Sequence, residues 1–422
     1  MPGTDSLTGF VVEITVAGLN GAEVRLPAHH FLQSLNFEVS DKGAWTGSLT
    51  LFDPEFDAID TLLFGAQLDR RVRVTIRRAE DVRASAITFF GWAVNLVPTF
   101  RSDGASVFLE LVSQSAGPTV LDRRIRSFGS GLRVSDIVQS IALDREWATV
   151  DPRSGRSSIE PTADRIEEPF STSGESDLHF LATTLLPQAV NDQGESGYRA
   201  YFDFRDVFHF HTHHWLPPVE HEYVYVRSRN GEVIEFSCQD NQVFSALNGG
   251  GNTILNGTSS QLGTQTEVSA LSAGGVEARG VAVPQTSAAK LTLGSGIHSY
   301  WQVRAHSQAE LRRLSQARYD EFRRDQYRGQ FRVIGTPLID VHDNINFRFV
   351  KDDGREHFLS GKFKVTRIIH EIGEGEGWVT TAECFRSGVP ILPGTTPLNV
   401  ARAVPDGVPA PSERTVTVSA EV

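Results

Sequence analysis

Cysteine and methionine are nearly absent from this chain, which has two cysteines and one methionine in 422 residues. Cys238 and Cys384 have no metal-type spacing, so the sequence excludes a disulfide-rich scaffold and a cysteine zinc site. The two thiols could face each other if both belong to one β-domain, and we expect them to be free and buried. Long apolar runs are missing too: no stretch reaches the roughly 18 residues that a membrane span needs, and residues 1–5 do not resemble a secretory signal.

An excess of positive charge is also lacking, because the net charge is −12, which argues against general binding of nucleic acid. Signatures of catalysis are missing as well. There is no G-x-S-x-G elbow, no Walker phosphate loop and no H-E-x-x-H zinc motif. The glycines at 249–251 do not lead into a helix and indicate flexible chain. The sequence therefore predicts a protein that is not an enzyme and that needs no cofactor.

Three histidines alternate along one predicted strand. His209, His211 and His213 can face the same way, and three imidazoles at this spacing are chemically able to hold zinc or iron. The alternative is an exposed strand end running into Pro217 and Pro218, where histidine is simply a polar residue. No fourth ligand or carboxylate partner can be identified from the sequence, so we assign no metal site.

Two further clusters have competing interpretations. Asp340 and Asp343, with His342 between them, have the residue types of an acid/base site, but they also fit the solvent face and turn of a strand, which is the interpretation we favour. The run 70–78 is rich in arginine and alternates, so its arginines lie mainly on one side of a strand. Because no aromatic residues are interleaved for base stacking, we expect it to contact an acidic neighbouring subunit.

A repeated β-module is the most informative feature that is present. Residues 331–388 follow the same plan as residues 61–117: Gly335 and Gly361 are 26 residues apart (361 − 335), as are Gly65 and Gly91 (91 − 65). A β-rich run, a glycine-containing turn and a final strand follow in each copy. The alternation slips by one residue after the second glycine, which would exchange the two faces of a strand. Two similar surfaces in one chain indicate assembly before catalysis.

The fold class predicted is mainly β with an α+β part: two antiparallel β-barrels and a small α+β domain between them. Helical periodicity in the middle domain places Val134, Ile137, Val138 and Ile141 on one face, and a second helix follows Ser176. A third helix begins at a capping box at Ser307. The expected organisation is a first barrel at 1–117, a middle domain at 118–218, a second barrel at 219–248 and 296–388 with the helix 307–328, a Gly/Ser/Thr-rich insertion at 249–295, and a Pro-rich arm at 389–422.

The order of features from residue 307 to 388 resembles a known family. The helix leads through glycine into Gly335–Ile339, then through the turn 352–355 to the strand 359–370 and the strand 377–381. This is similar to the C-terminal barrel of phage baseplate hub proteins of the late-control D type, and to the hub half of type VI secretion spike proteins. Residues 90–94 and the helix after Ser176 agree with that family, so the resemblance covers roughly residues 1–388.

The resemblance implies a homotrimer whose six tube-like barrels adapt a sixfold tail tube to a threefold central spike and continue its channel for DNA or effector passage. It implies as partners the tail tube protein, a separate spike protein, and baseplate wedge or tape-measure proteins. The location implied is the baseplate of a virion tail assembled in the host cytoplasm. It supplies no catalytic residues.

Two alternatives stay open at this point. One is a tail-associated hydrolase or carbohydrate-binding module that uses the histidines at 209–214 or the pair Asp340 and Asp343. The other is a hexameric distal-tail ring protein, from which a trimeric hub differs in its number of subunits.

Overall fold

We describe a computed structural model of the chain. It describes residues 10–17, 23–26, 32–54, 71–78, 86–163, 165–166, 169–172, 174–195, 197–226, 233–240, 246–252, 265–270, 298–302, 327–351, 355–357, 359–373 and 377–386. The helix expected at 307–328 and the arm at 389–422 lie outside these ranges.

Seven strands form the first module, and their alternating buried residues are typical of strands with one face on a core. The strands are β1 (Phe10–Ala17), β2 (Glu23–Leu26), β3 (Leu32–Ser40), β4 (Thr46–Asp53), β5 (Arg71–Arg78), β6 (Ile87–Arg101) and β7 (Gly104–Ser113).

A mixed domain follows, as the sequence predicts. It contains α1 (Gly117–Leu121), β8 (Ser127–Phe128), α2 (Val134–Asp144), β9 (Phe170–Ser171), α3 (Asp177–Phe180), β10 (Arg199–Phe202) and β11 (Phe208–His211). The four apolar residues predicted for one face of α2 are all buried. The second predicted helix begins at Ser176, whose side chain caps α3, and continues irregularly to Gln188.

The remaining strands belong to the second module and to a small separate sheet. They are β12 (Glu220–Val226), β13 (Val233–Asp240), β14 (Ala246–Asn252), β15 (Gln265–Ala270), β16 (His298–Gln302), β17 (Tyr327–Ile334), β18 (Asn344–Val350), β19 (Gly361–Gly373) and β20 (Gly377–Arg386). β14 pairs with β15 and β16, so strands lie partly within the segment 249–295. No helix in the ranges given above is long and apolar enough to cross a membrane.

One sheet of 13 strands runs through both modules, in the order β13-β17-β20-β19-β3-β4-β7-β6-β5-β1-β2, with β18 beside β19 and β12 beside β18. The two modules meet where β3 pairs antiparallel with β19, from Arg367 opposite Ser40 to Ile372 opposite Leu35. The two predicted β-units are thus joined edge to edge rather than tethered by a linker.

The duplication is present in the strand pairing. The first module has the order β3-β4-β7-β6-β5-β1, and the second has β13-β17-β20-β19-β18-β12. Both carry the same two β-bulges. An extra residue interrupts the first pair of strands at Gln33 and Ile234, and the last hairpin at Val94 and Thr366. Because bulges fix strand register, they align the two copies residue by residue.

This alignment corrects the one suggested by glycine spacing. The register of the last hairpins makes Gly91 equivalent to Phe363, two residues from the Gly361 that the spacing predicts. Gly91 lies inside β6, whereas Gly361 begins β19. The glycines that do coincide are Gly47 with Gly329 and Gly104 with Gly377. Each bulge adds one residue to its strand, which shifts the alternation of side chains by one residue. The bulges occur in both copies.

Aromatic side chains fill both cores. In the first module Phe37, Trp45 and Phe89 are fully buried and meet at ring centroid distances of 4.3 to 5.7 Å. In the second module a comparable cluster consists of Phe236, Phe331, Phe347 and Phe363. Edge-to-face and offset contacts of this kind add about 0.5–1.5 kcal/mol per pair beyond area burial. Each module therefore has its own aromatic cluster, and both clusters belong to one continuous hydrophobic core.

Candidate functional site

The hairpin β10–β11 of the middle domain lies against both modules and organises the junction between them. Backbone hydrogen bonds join Gly43, in the β3–β4 turn, to Ala200 and Phe202 at 2.8 and 2.9 Å. Beside them Arg199 Nε donates to Asp41 Oδ2 at 3.0 Å, and both side chains are buried. Since breaking a buried ion pair leaves an uncompensated charge, this contact fixes the middle domain to the first module.

The turn of the same hairpin reaches the end of β7. Asp206 has a positive φ of 64°, a conformation that aspartate tolerates better than most residues. Its carboxylate accepts hydrogen bonds from the Ser113 hydroxyl, and from the Ser115 backbone N–H at 3.0 Å and hydroxyl at 2.5 Å. Burial raises the pKa of Asp206 above its usual range.

The alternating histidines lie on the other side of the hairpin, facing the second module. His209, His211 and His213 are 1–4 % exposed, and His342 from the second module joins them at 5 %. The expectation of an exposed strand end is therefore wrong. Both faces of β11 are buried: Phe208 and Phe210 lie on one face and the histidines on the other. The turn before β18 covers the histidine face through His342.

The hydrogen bonds of this histidine cluster can all be made by neutral rings. His211 donates from Nδ1 to the Thr212 carbonyl at 2.7 Å, and its Nε2 lies 3.4 Å from the Tyr201 hydroxyl. The Nδ1 atoms of His213 and His342 are 2.9 Å apart, so one must donate and the other accept. Burial lowers the pKa of His211 to about 3 and that of His342 well below its usual range.

Asp340 and Asp343 are also buried, at 5 % and 1 % exposure, which corrects their expected place on a solvent face. Arg153 contacts both carboxylates, at 3.2 Å and 2.6 Å. Arg205 of the middle domain binds Asp340 at 2.8 Å, and His221 Nε2 lies 2.9 Å from Asp343 Oδ2. Burial raises the pKa of Asp340. These contacts make the pair a buried ionic link between the middle domain and the second module.

This histidine–aspartate junction connects the middle domain to the second module through ion pairs and ring contacts. No group of three or more His, Cys, Asp or Glu side chains in the described part of the chain is arranged to hold a metal. The sequence pattern found the histidines and the aspartates but missed Tyr201, which lies beside His211, and the arginines Arg153 and Arg205, which bind the aspartates. Arg205 lies in the turn between β10 and β11.

The strand junction itself carries a second polar cluster on the face away from the core. Arg367 of β19 donates from Nε and Nη2 to the two Glu38 carboxylate oxygens at 2.7 and 2.6 Å, and from Nη1 to Glu383 at 2.6 Å. The hydrogen bonds to Glu38 are the main reason that the pKa of Arg367 is raised. A cavity of about 510 Å³ lies here, with Arg199 and Arg328 also in its wall.

Other residues singled out by sequence have ordinary positions. Cys238 and Cys384 do not form a disulfide. The first is half-buried and the second buried, and each is opposite Gly329 on a neighbouring strand. In β5, alternation exposes Arg71 and Arg73 on one side, as predicted. Arg77 lies 3.8 Å from Glu13 of the same chain. The expected contact with an acidic neighbouring subunit stays a prediction.

Comparison by sequence identifies no relative: no family model matches, and no curated protein does. Comparison by structure does. The fold is similar to the tail protein from Neisseria meningitidis MC58, with a TM-score of 0.57, 12% identity, and coverage of 90% of this chain and 98% of that one. It is also similar to the 43 kDa tail protein of prophage MuSo2 from Shewanella oneidensis, with a TM-score of 0.56, 11% identity, and coverage of 89% and 99%.

A third similar structure is a chain of the lidded PdpA-VgrG complex from Francisella, with a TM-score of 0.50 and 9% identity. The match covers 92% of this chain but 55% of that one, so this chain corresponds to about half of a longer protein. At such low identities the comparisons establish the fold. The resemblance drawn from the sequence is confirmed at that level: this chain has the fold of phage tail proteins and of part of a chain in a VgrG complex.

Proposed function

We propose that this protein is a structural hub of a phage tail or tail-like particle and that it acts without catalysis. The observation that carries the proposal is the duplicated β-module within one continuous sheet. Each chain presents two equivalent units side by side, with matching bulges at Gln33 and Ile234 and at Val94 and Thr366. Two equivalent units in a fixed relation suit a protein that meets repeated partners in a symmetric assembly.

Symmetry gives the duplication a purpose. Three chains carry six modules, so a trimer is threefold in sequence and nearly sixfold in shape. Such a ring can sit against a sixfold tail tube on one side and hold a threefold central spike on the other, while leaving a channel for DNA or effectors along its axis. The middle domain occurs once per chain and keeps the threefold symmetry that a spike requires.

The partners that follow are the tail tube protein, a central spike protein, and wedge or tape-measure proteins. The location that follows is the baseplate of the virion tail, with assembly in the host cytoplasm. The buried histidine–aspartate junction fits this role, because it holds the middle domain rigidly on the second module, from Arg205 to Asp340 and from Arg153 to Asp343.

The mass of the purified full-length protein tests the proposal. A trimer has a mass of about 139 kDa, three times 46.4 kDa. Light scattering should give this value at protein concentrations of up to about 100 µM. Such concentrations lie well above a micromolar dissociation constant. A hexamer near six times 46.4 kDa would favour a distal-tail ring, and a monomer at every concentration would contradict the hub.

A further inference from the structure

The turn before β18, residues 340–343, closes over the histidine face of β11 in a strained conformation. His342 has a positive φ of 71°, which is uncommon for a residue other than glycine. Such a residue keeps its conformation only where the surrounding structure holds it. The contacts that hold it here are rings: the ring centroid of His342 lies 4.7 Å from that of His213, 5.0 Å from that of His211 and 5.3 Å from that of Tyr201.

This closed arrangement has no place for a charged His342. The Nδ1 atoms of His342 and His213 are 2.9 Å apart, and Nε2 of His342 is buried and has no hydrogen-bond partner among the described residues. If His342 donates at Nδ1, a second proton goes to Nε2 and has no acceptor there. If His213 donates, a second proton on His342 meets that donor. Either state buries an unsatisfied positive charge, which is costly.

His211 meets a similar restriction. Its side chain is 1 % exposed, and its ring lies 5.0 Å from that of His342, so a charge on one ring disfavours a charge on the other. Burial is the main reason that the pKa of His211 is lowered to about 3. Both rings can therefore take up protons near neutral pH only when the histidine face is open to water.

The groups packed around the two rings also favour the neutral forms. Burial is the main cause of the lowered pKa of His342, and the positive charges of Lys364 on β19 and Arg199 on β10 add to it. The acidic side chains of the surrounding elements are occupied by other partners. Arg199 contacts Asp41, Arg205 and His209 contact Asp203, Arg205 also contacts Asp340, Arg153 and His221 contact Asp343, Ser154 contacts Asp151, and Asn191 contacts Glu160.

We propose that the turn before β18 is an acid-released latch, which is closed on the histidine face at neutral pH and lifts from it when His211 and His342 bind protons. The inference goes beyond the proposed function, because it concerns contacts within one chain and needs no particular number of subunits. The backbone contacts of Gly43 with Ala200 and Phe202 contain no histidine. Acid should therefore loosen the middle domain from the second module and leave it attached to the first.

The direction of the effect follows from the state in which each ring binds its proton. In the open state both rings have the usual pKa of about 6.5, whereas in the closed state the pKa of each is lowered. The closed state therefore keeps its full advantage above pH 6.5. Below pH 6.5 the open fraction should rise by up to about 100-fold per pH unit, since each ring contributes about tenfold.

Asp340 acts in the opposite direction. Burial raises its pKa in the closed state, so the closed turn takes up a proton there more readily than the open turn does. Its usual pKa is about 3.9, so it offsets the gain from the histidines at the acid end of the range. The interval just below pH 6.5 is therefore the one in which the histidines control the latch.

Hydrogen–deuterium exchange of the purified full-length protein tests the latch, because the backbone N–H groups of the turn are hydrogen-bonded when it is closed. His342 N–H donates to the Val365 carbonyl at 3.0 Å, and Asp340 N–H donates to Asp343 Oδ2 at 2.9 Å. After correction for the intrinsic pH dependence of exchange, protection of the turn should fall about 100-fold between pH 7.5 and pH 5.5.

The N–H groups of β4 and β7 are the internal reference, since they exchange only when the first module unfolds. The turn should be less protected than these strands throughout this pH range. Equal protection at pH 5.5 would mean that the turn opens only when the whole chain unfolds, and it would overturn the inference. This comparison uses the wild-type protein and does not depend on any variant.

His342→Asn separates the contributions of the two rings. Asparagine tolerates the left-handed conformation and does not titrate in this range, so protection of the turn should fall only about tenfold over the same interval. His214→Asn makes the same substitution at the exposed neighbouring histidine and serves as the matched variant. Far-ultraviolet circular dichroism checks that both variants fold. A loss of protection in folded His342→Asn as large as that in wild type would overturn the latch and leave the hub intact.

Discussion

The two β-modules have the same strand order and the same bulges but different neighbours. In the first module β3 pairs with β19, and Leu35, Phe37 and Val39 are buried. In the second, the equivalent strand β13 is the last of the described strands on its side of the sheet. The two copies share the same backbone pairing. Their side chains differ at positions whose surroundings differ. Low identity between the copies is thus a consequence of their unequal positions.

The outer strands differ as well. β1 runs antiparallel to β5, but β12 runs parallel to β18. β12 follows the middle domain, so the chain enters the second module from the opposite end. The core of the duplication is therefore the set of five strands β3 to β7, repeated as β13 and β17 to β20.

The largest contrast is expected between Ile372→Asp and Phe100→Asp, which change equivalent positions. A carboxylate at the buried Ile372 lacks a partner and should cost more than about 4 kcal/mol, enough to unfold most of the protein. The same change at Phe100, which is 62 % exposed, should cost far less, because the carboxylate there keeps its contact with water. Chemical denaturation of both variants measures the difference. Equal loss of fold in both would break the comparison.

A second contrast uses the glycines that coincide. A Cβ at Gly47 would lie 1.8 Å from Phe37 Cδ1, whereas a Cβ at Gly329 would lie 3.0 Å from Phe363 Cε1. Because Phe37 is fully buried, Gly47→Ala should cost about 3 kcal/mol, and Gly329→Ala about 1 kcal/mol. Urea denaturation of both variants measures the difference. Equal costs would mean that the ring of Phe37 can move aside.

The next contrast concerns pH. His370 is fully buried in β19, where burial lowers its pKa to about 3, and its equivalent in β6 is Pro98, which does not titrate. The unfolded chain binds the proton with a pKa of about 6.5. The neutral ring therefore contributes full stability above pH 6.5, and this contribution falls as pH drops towards 3, by about 1.4 kcal/mol per pH unit.

In His370→Gln the free energy of unfolding should therefore fall less between pH 6.5 and pH 5 than in wild type. The two falls should differ by about 2 kcal/mol at pH 5. Unfolding in urea at several pH values measures the slope. His179→Gln makes the same substitution at an exposed position and serves as the matched variant. An identical slope in wild type and His370→Gln would contradict the assignment.

The sequence was sufficient for the duplication, the middle domain and its α2 face, because those depend on local periodicity and turns. It was insufficient for the register. In the first core the large ring is Phe37 of β3, and β6 carries Gly91. In the second core the equivalent of Phe37 is Cys238, and the equivalent of Gly91 is Phe363. The large ring therefore lies on a different strand in each core. Spacing between glycines cannot reveal such an exchange, and it aligned Gly91 with Gly361.

The histidines show the same limit. Alternation at His209, His211 and His213 predicts one face of a strand, but it does not say what covers that face. The covering residues, His342, Asp340 and Asp343, follow more than 100 residues later and lie in the turn before β18. Long-range packing of this kind leaves no local pattern, and the burial of both clusters could be seen only in the folded chain.

The most direct test of the central claim is an electron microscopic view of the purified assembly along its axis. Three chains with two equivalent modules each should give an inner ring of six similar densities, with three outer densities from the middle domains. A ring of six outer densities, or an inner ring whose units do not number six, would contradict the account.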